Sequence, residues 1–438
     1  MSSLRLLLRP SGLSAVFGLL LLASSPLWSQ SESKQKIKGL KEYAKEGSAA
    51  IPKITPYLKD IDEDVRREAV RSLVQVGTQR SLEPLIAACK DNDAEVQIRA
   101  TDGLVNFYLP GYVETGLSAS LKHAGTVVTG RWSDIANSDI IEPDTPLRPE
   151  IVDALSALVR GGASMDARAN AARALGILRA RTGQPALLDS LKSKDSRLIF
   201  ESLIALQKIR DRSSGDRAAF LIRDLDENVQ LAAIETCGIL GSKEAVPQLK
   251  RVLEDPRSKK ARRYSVTALA NIADPSTRSI LLGYLNDKDD EVRASAIEGL
   301  GRIADPQDRA ALNSAWQGDQ KTPVRLATAF ALVRAGNIDA GDFTPLGYLV
   351  NQLNQRSWRG VAGPYLGELA LHSAPRGAII AATQRAATPD EKIGLIRALA
   401  GCGSADAVPV MEQMSKDPDA AVAKEALRTL RILRGSVR

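Results

Sequence analysis

The sequence predicts an all-α chain folded as an α-solenoid of about eleven helix-turn-helix repeats with a period near 31 residues. Leucine recurs at Leu73, Leu104, Leu175, Leu206, Leu269, Leu300, Leu332, Leu369, Leu399 and Leu430, with Cys237 on the one missing beat. Eight residues before each beat lies a second marker, at positions 65, 96, 167, 198, 229, 261, 292, 324, 361, 391 and 422. With the marker as zero, +4 is small in most repeats, as at Ala69, Ala100 and Ala296, and +11 is mostly apolar, as at Val76, Leu178 and Ile303. Offsets 0, +4, +8 and +11 share one helix face, so each repeat holds an amphipathic helix buried along that stripe. The small +4 residue is where a neighbouring helix can approach closely.

Upstream of each marker a second apolar segment, such as Ile51 to Leu58 or Thr277 to Leu285, ends in an acidic turn, as at Asp60 to Asp64. Each repeat is therefore helix, polar turn, helix, and such pairs bury a continuous core only by stacking. In chain order the sequence divides into a secretory signal over 1–29, an N-terminal capping segment over 30–48, repeats one and two over 49–108, an irregular insertion over 109–148 and repeats three to eleven over 149–438. The signal rests on Arg5 and Arg9, the apolar run Leu13 to Ala23 and the small residues before Gln30, with cleavage expected after Ser29. That run is too short for a membrane span, which needs about 20 residues. The expected location is exported, periplasmic or extracellular, in a bacterium.

The segments Asp62 to Gly77, Asp289 to Asp305 and Pro418 to Leu433 resemble the second half of HEAT repeats, of the armadillo/HEAT type, in particular the short bacterial form named after phycobilisome lyases. The resemblance covers about 50–438 and implies the fold. It implies no single activity, because repeat folds host many.

The net charge of +7 falls to +5 when residues 1–29 are removed, since they carry two arginines and no acid. That is mild for a nucleic-acid binder. The acidic turns imitate calcium loops at Asp60, Asp62 and Asp64 and at Asp224, Asp226 and Asn228, yet Val65 and Val229 replace the glycine such a loop needs at its sixth position. They read as helix N-caps. Basic residues at +1, namely Arg66, Arg168, Arg262, Arg293, Arg325 and Lys392, read as a ladder tying turn to turn, the role the resemblance implies.

Cys89, Cys237 and Cys402 fall in repeats two, five and ten, too far apart to pair, with Cys237 and Cys402 on the buried stripe. His123 and His372 are the only histidines, and His372 falls on the +11 stripe; paired-histidine metal sites are excluded, as are the His-Glu pairs of the HEAT-like iron hydroxylases. No cofactor is expected. The basic run Arg257 to Arg263 reads as a solvated turn.

The clock breaks twice. Between repeats two and three the marker gap is 71 residues, and the excess carries Tyr112, His123, Trp132 and the strand-like Thr126 to Thr129. An insertion of that length inside an array is commonly functional. Before repeat nine the gap is 37; Pro364 there is expected to interrupt the second helix, Tyr365 replaces the small +4 residue, and the array is expected to bend or widen beside Trp358, Arg356 and Arg359.

If second helices line the concave side, as the resemblance implies, positions +6 and +10 face a groove. The basic members are Arg71, Arg173, Lys208, Arg302, Arg334, Arg397 and Arg428, against Asp102, Glu235 and Glu298. The expected function is an exported, non-catalytic scaffold that binds a protein, an acidic one on this charge count, through the concave face or the insertion. The partner-binding candidates are Arg71, Arg173, Lys208, Arg302, Arg334, Tyr112, His123, Trp132 and Trp358. The alternatives are a lyase-like enzyme with its site in the insertion or, without export, a nucleic-acid-binding solenoid.

Overall fold

The computed structural model describes residues 25–113, 140–142 and 145–436, and every regular element among them is helical. Residues 1–24, which hold the charged and apolar parts of the predicted signal, lie outside that set, as do His123, Trp132 and Thr126 to Thr129. No helix among the described residues is long and apolar enough to cross a membrane. The packing divides the chain into two compact units at Ala186 and Leu187.

The first unit contains α1 (Ser25–Tyr43), α2 (Glu63–Val76), α3 (Leu82–Ala88), α4 (Ala94–Tyr108), α5 (Pro149–Gly161) and α6 (Met165–Ile177). The expected cleavage position at Ser29 falls inside α1. Helices α1, α2, α4 and α6 pack on one another in that order, so repeat two stacks directly on repeat three although the insertion separates them in the chain. Its return is anchored: Ile141 is buried and donates its N–H to the Ile177 carbonyl at 3.1 Å, and Arg148 pairs with Glu83 at 2.9 Å. The first helix of repeat one is shorter than its apolar pattern suggests. It is one α-turn, Ile51–Ile54, continued as a 3-10 helix over Thr55–Lys59, where Pro56 has no N–H to give an α-helical bond.

The second unit runs through α7 (Ser196–Ile209), α8 (Glu227–Ile239), α9 (Val246–Glu254), α10 (Lys259–Ile272), α11 (Arg278–Gly283), α12 (Asp290–Ile303), α13 (Arg309–Gly318) and α14 (Thr322–Arg334). It continues with α15 (Pro345–Asn351), α16 (Arg359–Ala370), α17 (Ser373–Arg385), α18 (Pro389–Ala400), α19 (Val408–Met414) and α20 (Ala420–Ser436). The second helices α7, α8, α10, α12, α14, α16, α18 and α20 pack successively on one another. The first helices of successive repeats approach one another far less than the second helices do.

All eleven +8 positions are buried, from Leu73, Leu104 and Leu175 at 0 % exposure to Leu430 at 6 %. The tightest helix approaches follow a register the small +4 column does not reveal. A Cβ on Gly238 would lie 2.8 Å from the Ala268 Cα, one on Gly299 2.8 Å from the Ala270 Cα, and one on Gly301 2.7 Å from the Ala331 Cα. In each case +9 of one helix meets +7 of the next, and the same pairing joins Val74 to Gly103 in the first unit. Only a missing side chain lets the backbones come that close.

The acidic turns are N-caps. Asp62 accepts from the Asp64 N–H at 2.9 Å, and Asp93, Asp195, Asp226 and Asp289 accept from helix-start amides likewise. The same turns supply acceptors to the +1 cations of the preceding repeat. Arg66 reaches Asp91 at 2.8 Å, Arg262 pairs with Asp287, Arg293 reaches Asp319 at 2.8 Å and Lys392 reaches Asp417 at 2.7 Å. Two members differ: Arg168 donates to the Val159 carbonyl, and Arg325 to that of Trp316, over whose ring it lies at 4.3 Å. Within the basic run, Arg262 and Arg263 belong to this ladder, Arg263 reaching Asp289 at 2.7 Å.

Several expectations need correcting. Cys402 is half-exposed rather than buried, whereas burial holds Cys89 and Cys237 as thiols, the former with its pKa pushed up to about 12. His372 is the N-cap residue of α17, not a core position. Pro364 lies within α16 without ending it; the helix starts at Arg359, so the only α-helical bond forfeited is the one Gly360 would have accepted. Trp358 packs half-buried on the core at the start of α16, while Arg359 donates to the Leu353 carbonyl and pairs with Asp390.

Candidate functional site

Repeats seven, eight and nine bring a polar cluster together on the second-helix face of the second unit. On α12, Glu298 (+6) and Arg302 (+10) are one turn apart and joined at 3.3 Å. On α14 the same two positions are Phe330 and Arg334. On α16, Tyr365 fills the normally small +4 position and Glu368 follows at +7.

Arg302 is the hub. Its Nε donates to both Glu368 oxygens, at 2.9 and 3.2 Å, its Nη2 donates to Glu368 Oε2 at 3.0 Å, and Nη1 donates to Asn271 Oδ1 at 3.2 Å. The guanidinium lies 5.6 Å from the centre of the Phe330 ring, which stacks on Tyr365 at 5.0 Å. The Tyr365 hydroxyl donates to Glu298. Burial alone would lower the Arg302 pKa, but Glu298 and Glu368 outweigh it and hold the cation well above its ordinary value. These bonds cross over α14 to tie α16 to α12, so repeat nine is clamped to repeat seven as well as resting on repeat eight.

Tyr365 stands just past the second break in the clock. A ring in the small column keeps α16 from nesting on α14 as α14 nests on α12 through Gly301, and the α14–α16 contact is correspondingly looser. At this looser contact the Phe330 and Tyr365 rings stack with centroids 5.0 Å apart.

Arg334 is placed differently from Arg302. Its Nε is buried and has no hydrogen-bond acceptor, and burial lowers its pKa, only partly offset by the nearby charge of Glu368. Glu368 is already turned to Arg302 through both oxygens. Beyond Arg334, burial and then the Arg334 charge push the His372 pKa below the usual 6.5, so the imidazole is neutral at pH 7. An NMR titration is expected to place the His372 midpoint below 6.5, and Arg334→Gln to raise it. The stability contributed by the neutral ring is fully present above 6.5 and declines as pH falls toward the folded-state midpoint. A midpoint at or above 6.5 would remove Arg334 from the neighbourhood of the ring.

Of the predicted candidates among the described residues, the structure brings together Arg302 and Arg334 alone; His123 and Trp132 lie outside that set. Arg71 and Arg173 belong to the first unit; Arg71 is exposed, 3.9 Å from Glu68, in a shallow depression with Arg67, Glu95 and Arg99. Arg173 and Lys208 are engaged with other groups, Lys208 being almost wholly buried. Tyr112 is half-buried and engaged at the start of the insertion. Trp358 is a packing residue. Arg397 and Arg428 share Glu425, at 3.2 and 3.9 Å.

The column count missed the acids beside it. Glu68 and Glu425 stand at +3 and Glu368 at +7, positions that share a face with +6 and +10 because residues three and four apart are neighbours on a helix. That spacing was readable, and it turns the apparent basic excess into ion pairs.

Comparison with known proteins adds the following. Residues 33–105 and 256–333 match HEAT repeats, and 229–255 match the PBS lyase HEAT-like repeat. Comparison with curated proteins gives no match. Among solved structures, an engineered protein is similar at 20 % identity over 94 % of this chain and 97 % of its own, with a TM-score of 0.39. The CpcE–CpcF complex of phycocyanin lyase from Nostoc sp. PCC7120 is similar at 18 % identity over 62 % of this chain and 92 % of its own, TM-score 0.36. Importin beta is similar at 11 % identity over 92 % of this chain and 59 % of its own, TM-score 0.43.

Proposed function

Since this chain is a HEAT-repeat protein of the PBS lyase HEAT-like type, we propose that it is an exported, non-catalytic scaffold that binds another protein on the second-helix face of its second unit. The observation that carries this reading is the mixture of groups on that face. Leu371 and Ile432, both at +10, are 57 % and 43 % exposed, among the charges of Arg302, Arg334, Arg397 and Arg428. Exposed apolar side chains interleaved with polar ones are what a protein interface presents. The 109–148 insertion is the other contact element of the proposal.

The non-catalytic part is supported by how the ionisable groups are used. Glu298, Arg302, Tyr365 and Glu368 satisfy one another, and the thiols of Cys89 and Cys237 are held protonated by burial. Export is supported by the order of Arg5, Arg9 and the apolar run that follows. The modest net charge of +7 favours a protein over a nucleic acid as partner.

The test uses the full chain carrying a photo-crosslinking residue at Leu371, at Tyr112, or at Ile61, an exposed turn residue of the first unit. The same protein is expected to crosslink from Leu371 or Tyr112 in the exported fraction, and not from Ile61. Equal crosslinking from all three positions, or a cytoplasmic chain, would overturn the proposal.

A further inference from the structure

We infer that Arg334 is the recognition point of this face and takes a side-chain carboxylate of the partner, from an acidic segment with an apolar neighbour. The inference rests on the scaffold reading above and narrows it to one residue and one chemistry.

The argument starts from a comparison of cations. Of the seven basic residues predicted in the +6 and +10 columns, Arg71, Arg302, Arg397 and Arg428 lie within ion-pair distance of glutamates, and Arg173 and Lys208 are engaged. Arg334 is left, and among the described residues no carboxylate is bonded to it. A guanidinium presents five N–H donors in a planar fork and cannot shed its proton, so a buried Nε without an acceptor is an unmet demand. Carboxylates answer that fork with two parallel bonds.

The surroundings select against a rearrangement that would meet the demand internally. Glu368 is within electrostatic range of Arg334, but both its oxygens are held by Arg302, which also bears on Glu298 and on the Phe330 ring. Turning Glu368 toward Arg334 would strip the hub of its principal partner. His372, on the far side, is neutral and also feels Arg376, whose charge is matched by Asp406 at 2.8 Å. Leu371, at the end of α16, precedes His372 in the chain and exposes more than half of its surface. An incoming carboxylate therefore meets the outer nitrogens of a guanidinium that no carboxylate holds, its inner Nε being shut off from solvent, beside a neutral imidazole and an apolar side chain, which is the environment of an acidic residue flanked by a leucine-like one.

The probe is a short fluorescein-labelled peptide of alternating glutamate and leucine, acetylated and amidated so that its only carboxylates are side chains, titrated into the full chain. It is expected to bind more weakly as salt rises, and Arg334→Gln to weaken binding about tenfold or more, the size expected when a charged pair loses one member. Lys53→Gln, at an exposed cation of the first unit already paired with Glu46 at 2.6 Å, is expected to change affinity less than about twofold. Arg334→Lys keeps the charge and loses the fork; it is expected to fold normally and to bind several-fold more weakly, and it carries the test if Arg334→Gln melts early. A glutamine-for-glutamate peptide is expected not to bind, and an amide-side-chain peptide with a free C-terminus is expected to bind no better.

Wild-type affinity in both Arg334 variants, retained binding of the glutamine peptide, or binding only through a free C-terminus would each overturn the inference. A partner that crosslinks at Leu371 yet binds both variants as it binds the wild type would sink the carboxylate site and leave the scaffold standing. A carboxylate peptide that binds through Arg334 while no protein crosslinks at Leu371 or Tyr112 would do the reverse.

Discussion

Leu300→Ala is expected to lower the stability of the second unit by about 4 kcal/mol, toward the upper part of the roughly 2–5 kcal/mol range for a buried leucine. Leu300 is 1 % exposed on the +8 stripe of α12. How much of the cavity survives depends on whether the walls can close. Here they are already in contact: Gly299 and Gly301, the residues on either side, leave room for no Cβ against the backbones of Ala270 and Ala331. Helices α10 and α14 cannot move inward to fill the hole, so the cavity term is paid nearly in full. Leu300→Met, which conserves volume, is expected to cost less than about 1.5 kcal/mol. Urea unfolding of the two variants separates the cases, and a loss below about 1 kcal/mol for the alanine variant would mean that the +8 ladder is not the core.

Arg302→Gln is expected to cost about 2–3 kcal/mol. Removing one member of a buried ion pair costs roughly 3–5 kcal/mol because the other charge is left uncompensated. The figure is reduced here because the Glu368 side chain is 32 % exposed and water can partly replace its partner. Arg302→Gln combined with Glu368→Gln should recover part of the loss, leaving a coupling energy of about 1 kcal/mol or more in a double-mutant cycle. Additive losses would show that the two side chains are neighbours without being partners.

The fold was legible because burial is written in the sequence by periodicity. One residue in each repeat has to lie at the centre of the layer, and leucine at +8 records it in ten of the eleven repeats, with Cys237 in the other. The turn ladder was legible for the same reason: the +1 cation and the acid of the next turn recur at a nearly fixed separation, 25 residues for Arg66 with Asp91 and 26 for Arg293 with Asp319. The site was half legible. Arg302 and Arg334 stood out as groove cations, and repeat nine as irregular, but nothing periodic links Arg302 to Glu368, which lies two repeats along and at a different offset. A contact that skips a repeat leaves no trace in a one-repeat average. The difference between the two arginines, one satisfied and one not, depends on which way a single carboxylate turns.

That skipped contact changes how the array comes apart. In a linear array where each element touches only its neighbours, stability divides into local terms and the ends can open one element at a time. The bonds from Arg302 to Glu368 and from Tyr365 to Glu298 bind the seventh element directly to the ninth over the eighth, so the three form one cooperative block. Fraying from the C-terminal side is expected to stop at α16, where the next loss would be three elements at once.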